Sequence, residues 1–237
     1  MSQAICSANF LELWDCDFEA VDDTNHRGAG WSQVGRIRFS SQGDPAKSVP
    51  AYLKRQQRYR TRTFAHPING ISTLRREYKM LEWVGGRGVA VARPLYFAEG
   101  SQQRALLVVE ALQGYTDLDQ PLETSRAERK SLIVNAAALV RKLHGLGIYH
   151  GCLYPKHLFW NSETGDIRLI DWEKARYSLR RNRTTLRDLD SLNRHALHWS
   201  RRERAIFLEG YLGVPVGDPQ FKQWWWRLSA KCRSKAG

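Results

Sequence analysis

The chain of 237 residues has no long apolar run, no closely spaced cysteine pair, no internal repeat and no recognisable secretory leader. A membrane-spanning helix needs an uninterrupted apolar stretch of about 18 residues, which is absent, so none is expected. The first residues are acidic and lack a basic segment followed by an apolar core, so no signal peptide is expected. The four cysteines are scattered without a C-x-x-C pair, which excludes a disulfide framework or a zinc signature and favours a reducing cytosol. They are Cys6, Cys16, Cys152 and Cys232.

Acidic residues are also in short supply, with 24 Asp and Glu against 37 Lys and Arg, and the formal net charge is +13. Such a surface attracts anions, and nucleic acid, an anionic membrane face and a phosphorylated substrate are all candidate partners. Charge alone does not separate them. A hydrophobic fraction of 42% with 11% aromatics predicts a folded protein, long enough for one well-packed unit or for two lobes with a cleft.

The stretch Leu146–Arg176 carries the most specific pattern in the sequence. An apolar run, Leu158–Trp160, is followed by the polar turn Asn161–Asp166 and by a second strand pattern that ends at Ile170. This order predicts a β-hairpin. Because a hairpin brings its two outer ends together, we expect His157 before the first strand to lie close to Asp171 after the second. A carboxylate beside a polar ligand is suited to a divalent cation.

This layout resembles the catalytic loop and the metal-binding Asp of the protein-kinase-like fold, H-R-D-L-x-x-x-N followed by D-F-G. His150 falls on the His, Gly151 on the Arg and Cys152 on the catalytic Asp. His157 falls on the Asn and Asp171 on the D-F-G Asp. The words HGCLYPKH and IDWEKAR resemble more specifically the bacterial lipopolysaccharide core kinase family (Kdo and WaaP-type heptose kinases), in its InaA-like branch. Cys152 departs from the kinase pattern, whereas a His at the Asn position is usual in that family.

Two glycines, Gly28 and Gly30, precede a strand pattern at Val34–Phe39. Glycine between two strands lets backbone amides approach phosphate oxygens, but an ordinary hairpin turn has the same pattern. Further on, Lys54 lies in a strand that resembles the kinase V-A-I-K segment, whose Lys contacts the nucleotide phosphates. A helix over 72–81 places Glu77 beside its apolar face, where it can turn inward to Lys54 or outward to solvent.

The rest of the sequence alternates strand and helix patterns. Strands are predicted at 95–98 and 105–110, with helices at 122–146 (capped by Thr124 or Ser125), 185–199, 201–212 and from 219 to about 231. The arginine-rich stretch 55–64 is interpreted as a loop facing either nucleic acid backbone or a phosphorylated sugar. The last helix combines three consecutive tryptophans with several cations. This composition is typical of a membrane interface or of a packed helical core.

The family resemblance implies an α+β, two-lobed protein-kinase-like fold. Residues 1–112 would form an antiparallel-sheet N-lobe with one helix, which binds nucleotide, and 113–237 a mostly helical C-lobe with the catalytic loop and metal site. It also implies ATP and Mg²⁺, with Mn²⁺ as the alternative. Gly28, Gly30, Lys54, Glu77 and backbone groups from Glu110 to Leu112 would bind the nucleotide, and His157 and Asp171 the metal. The catalytic set would be His150, Cys152, Asp171 and Glu173.

The resemblance predicts a kinase that phosphorylates a sugar hydroxyl of the lipopolysaccharide core. Its partners would be ATP, that core or another anionic glycolipid, and peripherally the cytoplasmic face of the inner membrane. Because Cys152 replaces the usual base, a kinase-shaped nucleotide-binding or scaffold protein without turnover is an open alternative. A basic nucleic-acid-binding protein is a third, which the resemblance disfavours. A metal-hydrolase cluster of His144, His150, His157 and Asp171 fits no zinc spacing.

Overall fold

A computed structural model describes residues 5–41, 43–63, 66–178 and 181–233. The chain forms two compact units. Unit 1 comprises Met1–Gly85 and Ala92–Gln113, and unit 2 comprises Gly86–Val91 and Gly114–Gly237. The short segment Gly86–Val91, which the sequence-based boundary placed in the N-lobe, belongs to unit 2. It does so because its backbone pairs there: the amide of Leu169 donates to the carbonyl of Ala90 at 3.0 Å.

Unit 1 is built on a curled sheet in which β5 occupies the centre. The strand order is β1-β4-β5-β9-β8, with β2 and β3 also paired to β4. These pairings are antiparallel except for β1 with β4, which is parallel. The strands of unit 1 are β1 (Ile5–Ser7), β2 (Glu19–Ala20), β3 (Asn25–Arg27), β4 (Gly30–Ser40), β5 (Val49–Gln57), β6 (Arg60–Thr63), β7 (His66–Ser72), β8 (Pro94–Gly100) and β9 (Arg104–Glu110). Its helices are α1 (Phe10–Asp15) and α2 (Thr73–Gly85).

One face of this sheet forms an apolar core. Ala51 and Leu53 on β5 are buried against Ile37 of β4 and against Leu106 and Val108 of β9. Successive side chains on a strand point to opposite faces. Lys54, the neighbour of Leu53, therefore projects from the opposite face.

The arginine-rich stretch does not form the loop that its composition predicted. From Arg60 it is the first strand of the hairpin β6–β7. The guanidinium of Arg60 donates to the carbonyls of Asn69 at 2.8 Å and Gly70 at 2.7 Å, so a cation side chain stabilises the strand pair. Phe64, the last residue of the stretch, lies outside the described residues.

Two of the scattered cysteines meet in unit 1. The thiol sulfurs of Cys6 on β1 and Cys16 after α1 lie 2.6 Å apart. Both are free thiols. Burial and, after it, the hydrogen bond with Cys16 raise the pKa of Cys6 to about 12. The spacing of ten residues gave no sign of this contact, because α1 folds back to bring the two positions together.

Unit 2 consists of helices around two small sheets, β10-β12-β13 and β11-β14. Its strands are β10 (Tyr115–Asp117), β11 (Ile148–Tyr149), β12 (Leu158–Asn161), β13 (Ile167–Leu169) and β14 (Arg176–Tyr177), and its helices are α3 (Arg126–Gly145), α4 (Arg181–His195), α5 (Arg201–Leu212) and α6 (Pro219–Arg233). A 3₁₀ turn, Pro155–His157, precedes β12. The antiparallel-rich sheet of unit 1 and the helices of unit 2 confirm the α+β class. Among the described helices, none is long and apolar enough to cross a membrane.

The helix boundaries follow their caps. Ser125 and Glu128 form a capping box at the start of α3, which selects Ser125 rather than Thr124. Ser200 and Glu203 form a second capping box at the start of α5. Gly213, with a left-handed φ of 74°, ends this helix, and α5 has the predicted bounds. By contrast, α4 begins and ends four residues earlier than predicted.

Candidate functional site

The hairpin β12–β13 brings together the two residues that the sequence placed at its ends. Leu158 pairs with Leu169, and beyond them the amide of Ile170 donates to the carbonyl of His157 at 3.1 Å. In consequence, Nε2 of His157 lies 3.5 Å from Oδ2 of Asp171. The predicted neighbourhood of His157 and Asp171 is therefore present, and it is produced by the strand register.

The hydrogen bonding of His157 fixes which ring nitrogen faces Asp171. Its Nδ1 lies 2.7 Å from the carbonyl oxygen of Cys152. A carbonyl only accepts, so Nδ1 carries the proton, and in the neutral ring Nε2 presents its lone pair to the Asp171 carboxylate. Two acceptors that face each other require a positive charge between them, either a second ring proton or a metal ion. A backbone carbonyl on the far nitrogen is the usual support of a metal-binding His.

These two side chains fit a divalent cation that brings further ligands with it. No group of three or more His, Cys, Asp or Glu side chains suited to a metal occurs among the residues that the structure describes. Mg²⁺ typically binds through one or two protein ligands and completes its shell with water and substrate phosphate oxygens. An imidazole nitrogen is a softer donor than an amide oxygen and also suits Mn²⁺.

Asp171 has an unusual backbone conformation. Its φ is 62°, in the left-handed region, and its side chain is 33% exposed. Asp and Asn tolerate this region better than most residues, whereas a bulky or β-branched side chain would be strained there. The turn directs the carboxylate back toward His157 immediately after β13. Strained backbone of this kind clusters at functional sites.

The catalytic-loop backbone is held by a residue that sequence reasoning missed, Asp188 on α4. Its Oδ2 accepts from the amide of His150 at 2.7 Å and its Oδ1 from the amide of Gly151 at 3.0 Å. Asp188 is 1% exposed. Gly151 has a φ of 82°, and a Cβ there would lie 2.9 Å from the carbonyl oxygen of Lys174, which accounts for glycine at this position. The signal in the sequence was a carboxylate on the apolar stripe of a helix, next to Leu189 and Leu192.

His150 is wholly buried behind the site. Its Nε2 donates to the carbonyl of Ile170 at 3.0 Å, and its ring meets the buried Trp172 edge to face at 5.1 Å. Burial lowers the pKa of His150, and the neighbouring His157 lowers it further, whereas Asp188 opposes the shift. Its Nδ1 is buried without a hydrogen bond to any described residue. The ring thus links the loop to the segment that carries Asp171.

Cys152 is also buried, with 4% exposure. Burial raises the pKa of its thiol above the ordinary value of 9.0, and the ammonium of Lys174 opposes part of that rise. The pKa of Lys174 is raised in turn, chiefly by the Cys152 sulfur with which it forms a hydrogen bond. At neutral pH the side chain at the position of the kinase Asp is therefore a protonated thiol. Glu173 is half-buried beside it, and its charge contributes to the same rise.

In unit 1, Lys54 and Glu77 form an ion pair, with Nζ 2.6 Å from Oε1. Side-chain exposure is 18% for Lys54 and 3% for Glu77, so the inward orientation of Glu77 is the one observed. Ser72 caps α2 by accepting from the amide of Arg75 at 3.2 Å and so fixes the rotation of the helix that carries Glu77. A buried carboxylate requires such a partner.

The glycines lie in the hairpin that precedes this lysine. Gly28 and Ala29 form the two-residue turn between β3 and β4, and Gly30 opens β4 opposite Arg27. Gly28 has a φ of 61°, and its Cβ position is open to solvent. A glycine at the first turn position is typical of type II′ hairpins. Both the phosphate-binding interpretation and the ordinary-turn interpretation are compatible with this geometry.

The strand β9 leads into the stretch predicted to hold an adenine. The amide of Glu110 donates to the carbonyl of Arg93 at 2.9 Å and that of Ala111 to the carbonyl of Pro50 at 3.0 Å. Among the amides from Glu110 to Leu112, only that of Leu112 has no partner within the described residues of the chain. The adenine-binding role stays a prediction.

The alternative metal-hydrolase cluster does not form. His144 contacts Tyr211 through Nδ1 at 2.9 Å and Asp188 through Nε2 at 3.2 Å. His150 bonds to a backbone carbonyl, and only His157 and Asp171 of the four residues form a pair.

Residues 11–211 match the family described as Lipopolysaccharide kinase (Kdo/WaaP). Protein InaA of Escherichia coli (strain K12) is 25% identical over 197 residues, which cover 78% of this chain and 87% of InaA.

Two solved structures share the fold. WaaP in complex with acyl carrier protein superposes with a TM-score of 0.67 at 19% identity, covering 95% of this chain and 91% of that one. An aminoglycoside-3'-phosphotransferase of type VIII superposes with a TM-score of 0.54 at 17% identity, covering 89% and 92%. With a family match over most of its length, the chain belongs to the lipopolysaccharide kinase (Kdo/WaaP) family and, with it, to the phosphotransferases of protein-kinase-like fold.

Proposed function

We propose that this chain is an ATP-dependent kinase that phosphorylates a sugar hydroxyl of the lipopolysaccharide core. The observation that carries the proposal is the His157–Asp171 pair, in which an imidazole nitrogen and a carboxylate oxygen lie 3.5 Å apart. A nucleotide-bound divalent cation satisfies both groups. Family membership supports the same chemistry.

In this proposal, Lys54 binds the phosphates of ATP. Its ion pair with the buried Glu77 restricts the ammonium to one position before the nucleotide arrives, which reduces the entropy lost on binding. The backbone at Gly28 and Gly30 approaches the phosphates, and groups from Glu110 to Leu112 hold the adenine. The amides of Glu110 and Ala111 already donate to backbone carbonyls. We therefore propose that the adenine contacts the carbonyl of Glu110 and the amide of Leu112.

His157 and Asp171 hold the cation, for which we propose Mg²⁺, with Mn²⁺ as a substitute. When bound, the cation neutralises charge on the phosphates. Phosphoryl transfer has a loose transition state, so positioning and charge neutralisation contribute more than a base does. His150 acts as a positioning residue in this account, because it is buried and bonded to the carbonyl of Ile170, from which the chain enters the Asp171 turn.

No strong base stands at Cys152, because its thiol is protonated at neutral pH. Besides Asp171, which holds the cation in this proposal, Glu173 is the predicted catalytic residue with a carboxylate near the loop, and we propose that it orients or deprotonates the acceptor hydroxyl. A base contributes about 10²–10⁴-fold. A slow enzyme is consequently expected.

The acceptor is proposed to be the anionic core of the glycolipid, at the cytoplasmic face of the inner membrane. The net charge of +13 supports an acceptor that carries phosphates or carboxylates.

A second candidate function is nucleotide binding without turnover. The observation that favours it is again the protonated thiol of Cys152 at the position of the catalytic carboxylate. Such a protein would act as a nucleotide-dependent scaffold.

The test measures transfer of labelled phosphate from ATP to purified core oligosaccharide. We expect slow transfer by the wild type and none by Asp171→Asn, which keeps the backbone conformation and removes the negative charge. Glu163→Gln is the matched control, since Glu163 is an exposed carboxylate in the same hairpin, away from the pair.

Thermal stabilisation by ATP with a divalent cation, in the absence of any transfer, would select the second candidate. If the wild type shows no phosphate transfer and no stabilisation by ATP, both candidate functions are contradicted.

A further inference from the structure

Helices α5 and α6 enclose a groove of about 880 Å³ in unit 2, on a surface that the kinase proposal does not use. It is lined by aromatic, aliphatic and cationic side chains: Arg201, Arg202, Ala205, Val216, Phe221, Lys222, Trp225, Trp226 and Ser229.

The apolar part of the groove is unusually exposed. Trp226 is 66% exposed and Val216 49% exposed. Behind them, Trp225 stacks on the buried Phe221 with a centroid distance of 5.8 Å and an interplanar angle of 13°. An apolar patch with a polar rim marks an interaction surface.

The rim of the groove is cationic. Arg201, Arg202 and Lys222 line it, and its lining contains no carboxylate. The guanidinium of Arg201 lies 5.9 Å over the ring of Trp225, so a cation and an aromatic face are presented together.

The nearest carboxylates are engaged in helix caps. Glu203 accepts from the amide of Ser200 and pairs with Arg129 at 2.6 Å, and Asp218 accepts from the amide of Gln220. Arg227 adds an exposed cation further along α6. The cationic rim and the exposed apolar side chains are therefore complementary to a ligand with an anionic part and an apolar part.

We propose that the α5–α6 groove docks the protein on an anionic phospholipid bilayer. Trp226 would insert at the level of the headgroups, where an amphipathic ring is most stable. Arg201, Arg202 and Lys222 would contact lipid phosphates, and each cation near the surface would strengthen binding by about fivefold. A soluble phosphate ligand would make no use of the exposed tryptophan, whereas a bilayer uses both halves of the surface. The inference rests on the proposed function in one respect, since a glycolipid acceptor is itself embedded in a membrane.

The experiment is flotation with vesicles of phosphatidylglycerol and phosphatidylcholine, compared with vesicles of phosphatidylcholine alone. We expect the wild type to float with the anionic vesicles, to be released by high salt and to ignore the neutral ones. The variant Trp226→Ser with Arg202→Gln should bind about tenfold more weakly or worse, because it removes one ring and one cation. Both side chains are exposed, and an unchanged melting temperature will verify the fold of the variant.

Matched controls come from unit 1. Trp83 is 37% exposed and Arg62 is exposed on β6, so Trp83→Ser with Arg62→Gln removes the same kinds of side chain from another surface. This control should bind vesicles like the wild type. Equal vesicle binding by the groove variant and the wild type would overturn the proposal. Equal loss of binding in the control variant would also overturn it, because binding would then not depend on the groove.

Failure of the kinase proposal remains distinguishable from failure of this one. Phosphorylation of soluble core oligosaccharide should be unchanged in the groove variant, and only phosphorylation of acceptor embedded in vesicles should fall. If no acceptor is phosphorylated by any variant but flotation follows the groove, docking is supported and the kinase activity is not.

Discussion

The left-handed backbone of Asp171 restricts what can replace it. Asn tolerates a φ of 62° nearly as well as Asp, whereas Ala lacks a side chain that bonds locally in this conformation. We expect Asp171→Ala to lower the free energy of unfolding by about 1 kcal/mol more than Asp171→Asn does. Both variants should lose the stabilisation that ATP confers with a divalent cation. Chemical denaturation and thermal shift measure the two effects, and equal unfolding free energies would contradict the backbone argument.

Cys152 offers a test of whether the missing carboxylate limits turnover. The thiol is protonated at neutral pH, so Cys152→Ser replaces one neutral group with another and should change the transfer rate by less than about threefold. Cys152→Asp introduces a carboxylate next to Lys174 and should raise the rate by about tenfold or more. Initial rates of phosphate transfer to core oligosaccharide, compared between the wild type and the two variants, test these expectations. Loss of all activity in Cys152→Ser would show that the sulfur itself is required.

Tyr211 makes stability depend on alkaline pH. Burial raises its pKa to about 12 from an ordinary value of 10.0, with the Asp188 charge acting in the same direction. The folded state therefore keeps a proton that the unfolded state loses, so this contribution is complete below pH 10 and is lost as pH rises toward 12. Between pH 9 and pH 11 the loss is about 1 kcal/mol. Urea titrations at both values should show a smaller decline in Tyr211→Phe, and an equal decline would contradict the assignment.

The site residues differ in how far the sequence could reveal them. His157 and Asp171 were predictable because they flank a short hairpin, and local strand order brings them together. Asp188 was not, since it contacts the amide of His150 across 38 positions and a carboxylate on a helix is usually solvated. The contact between Lys174 and Cys152 could not be predicted from the sequence either. It depends on a turn whose path no local pattern specifies.

At the scale of elements, helix ends are determined by caps. Removing the hydroxyl of Ser200 deprives the amide of Glu203 of its partner at the start of α5. We expect Ser200→Ala to lower the free energy of unfolding by about 1 kcal/mol. Ser131→Ala, at an exposed interior position of α3, is the control and should be neutral or slightly stabilising. Denaturant titration compares the two, and equal effects would mean that the cap contributes nothing.

Elements were predictable where their own residues determine them. The helix α5 has the predicted bounds, and its end was predicted from Gly213 and Pro215, whereas the capping box at its start became evident only in the structure. The strand β6 was missed because its arginines suggested a solvated loop, whereas Arg60 bonds to the carbonyls of Asn69 and Gly70 on the partner strand. The stabilisation of β6 comes from its partner strand β7, so the sequence of β6 itself shows no strand periodicity.

For the whole molecule, the dominant quantity is a net charge of +13. Repulsion among cations opposes the compact state, and salt screens it over a Debye length of about 10 Å at 0.1 M. We expect the melting temperature to rise by roughly a few degrees as sodium chloride increases from low to physiological concentration. Differential scanning calorimetry measures this, and a fall would show that ion pairs such as Arg129–Glu203 outweigh the repulsion.

The connectivity of the units bears on how such kinases can recombine. The chain passes from one unit to the other after Gly85, after Val91 and after Gln113. The segment Gly86–Val91 supplies a backbone partner to Leu169, two residues before Asp171. A hybrid gene that joins the first 113 residues of this chain to the remainder of a relative would therefore place a foreign neighbour beside the turn that carries Asp171. We expect hybrids that exchange acceptor specificity to fold when the segment Gly86–Val91 and the C-terminal half come from the same relative.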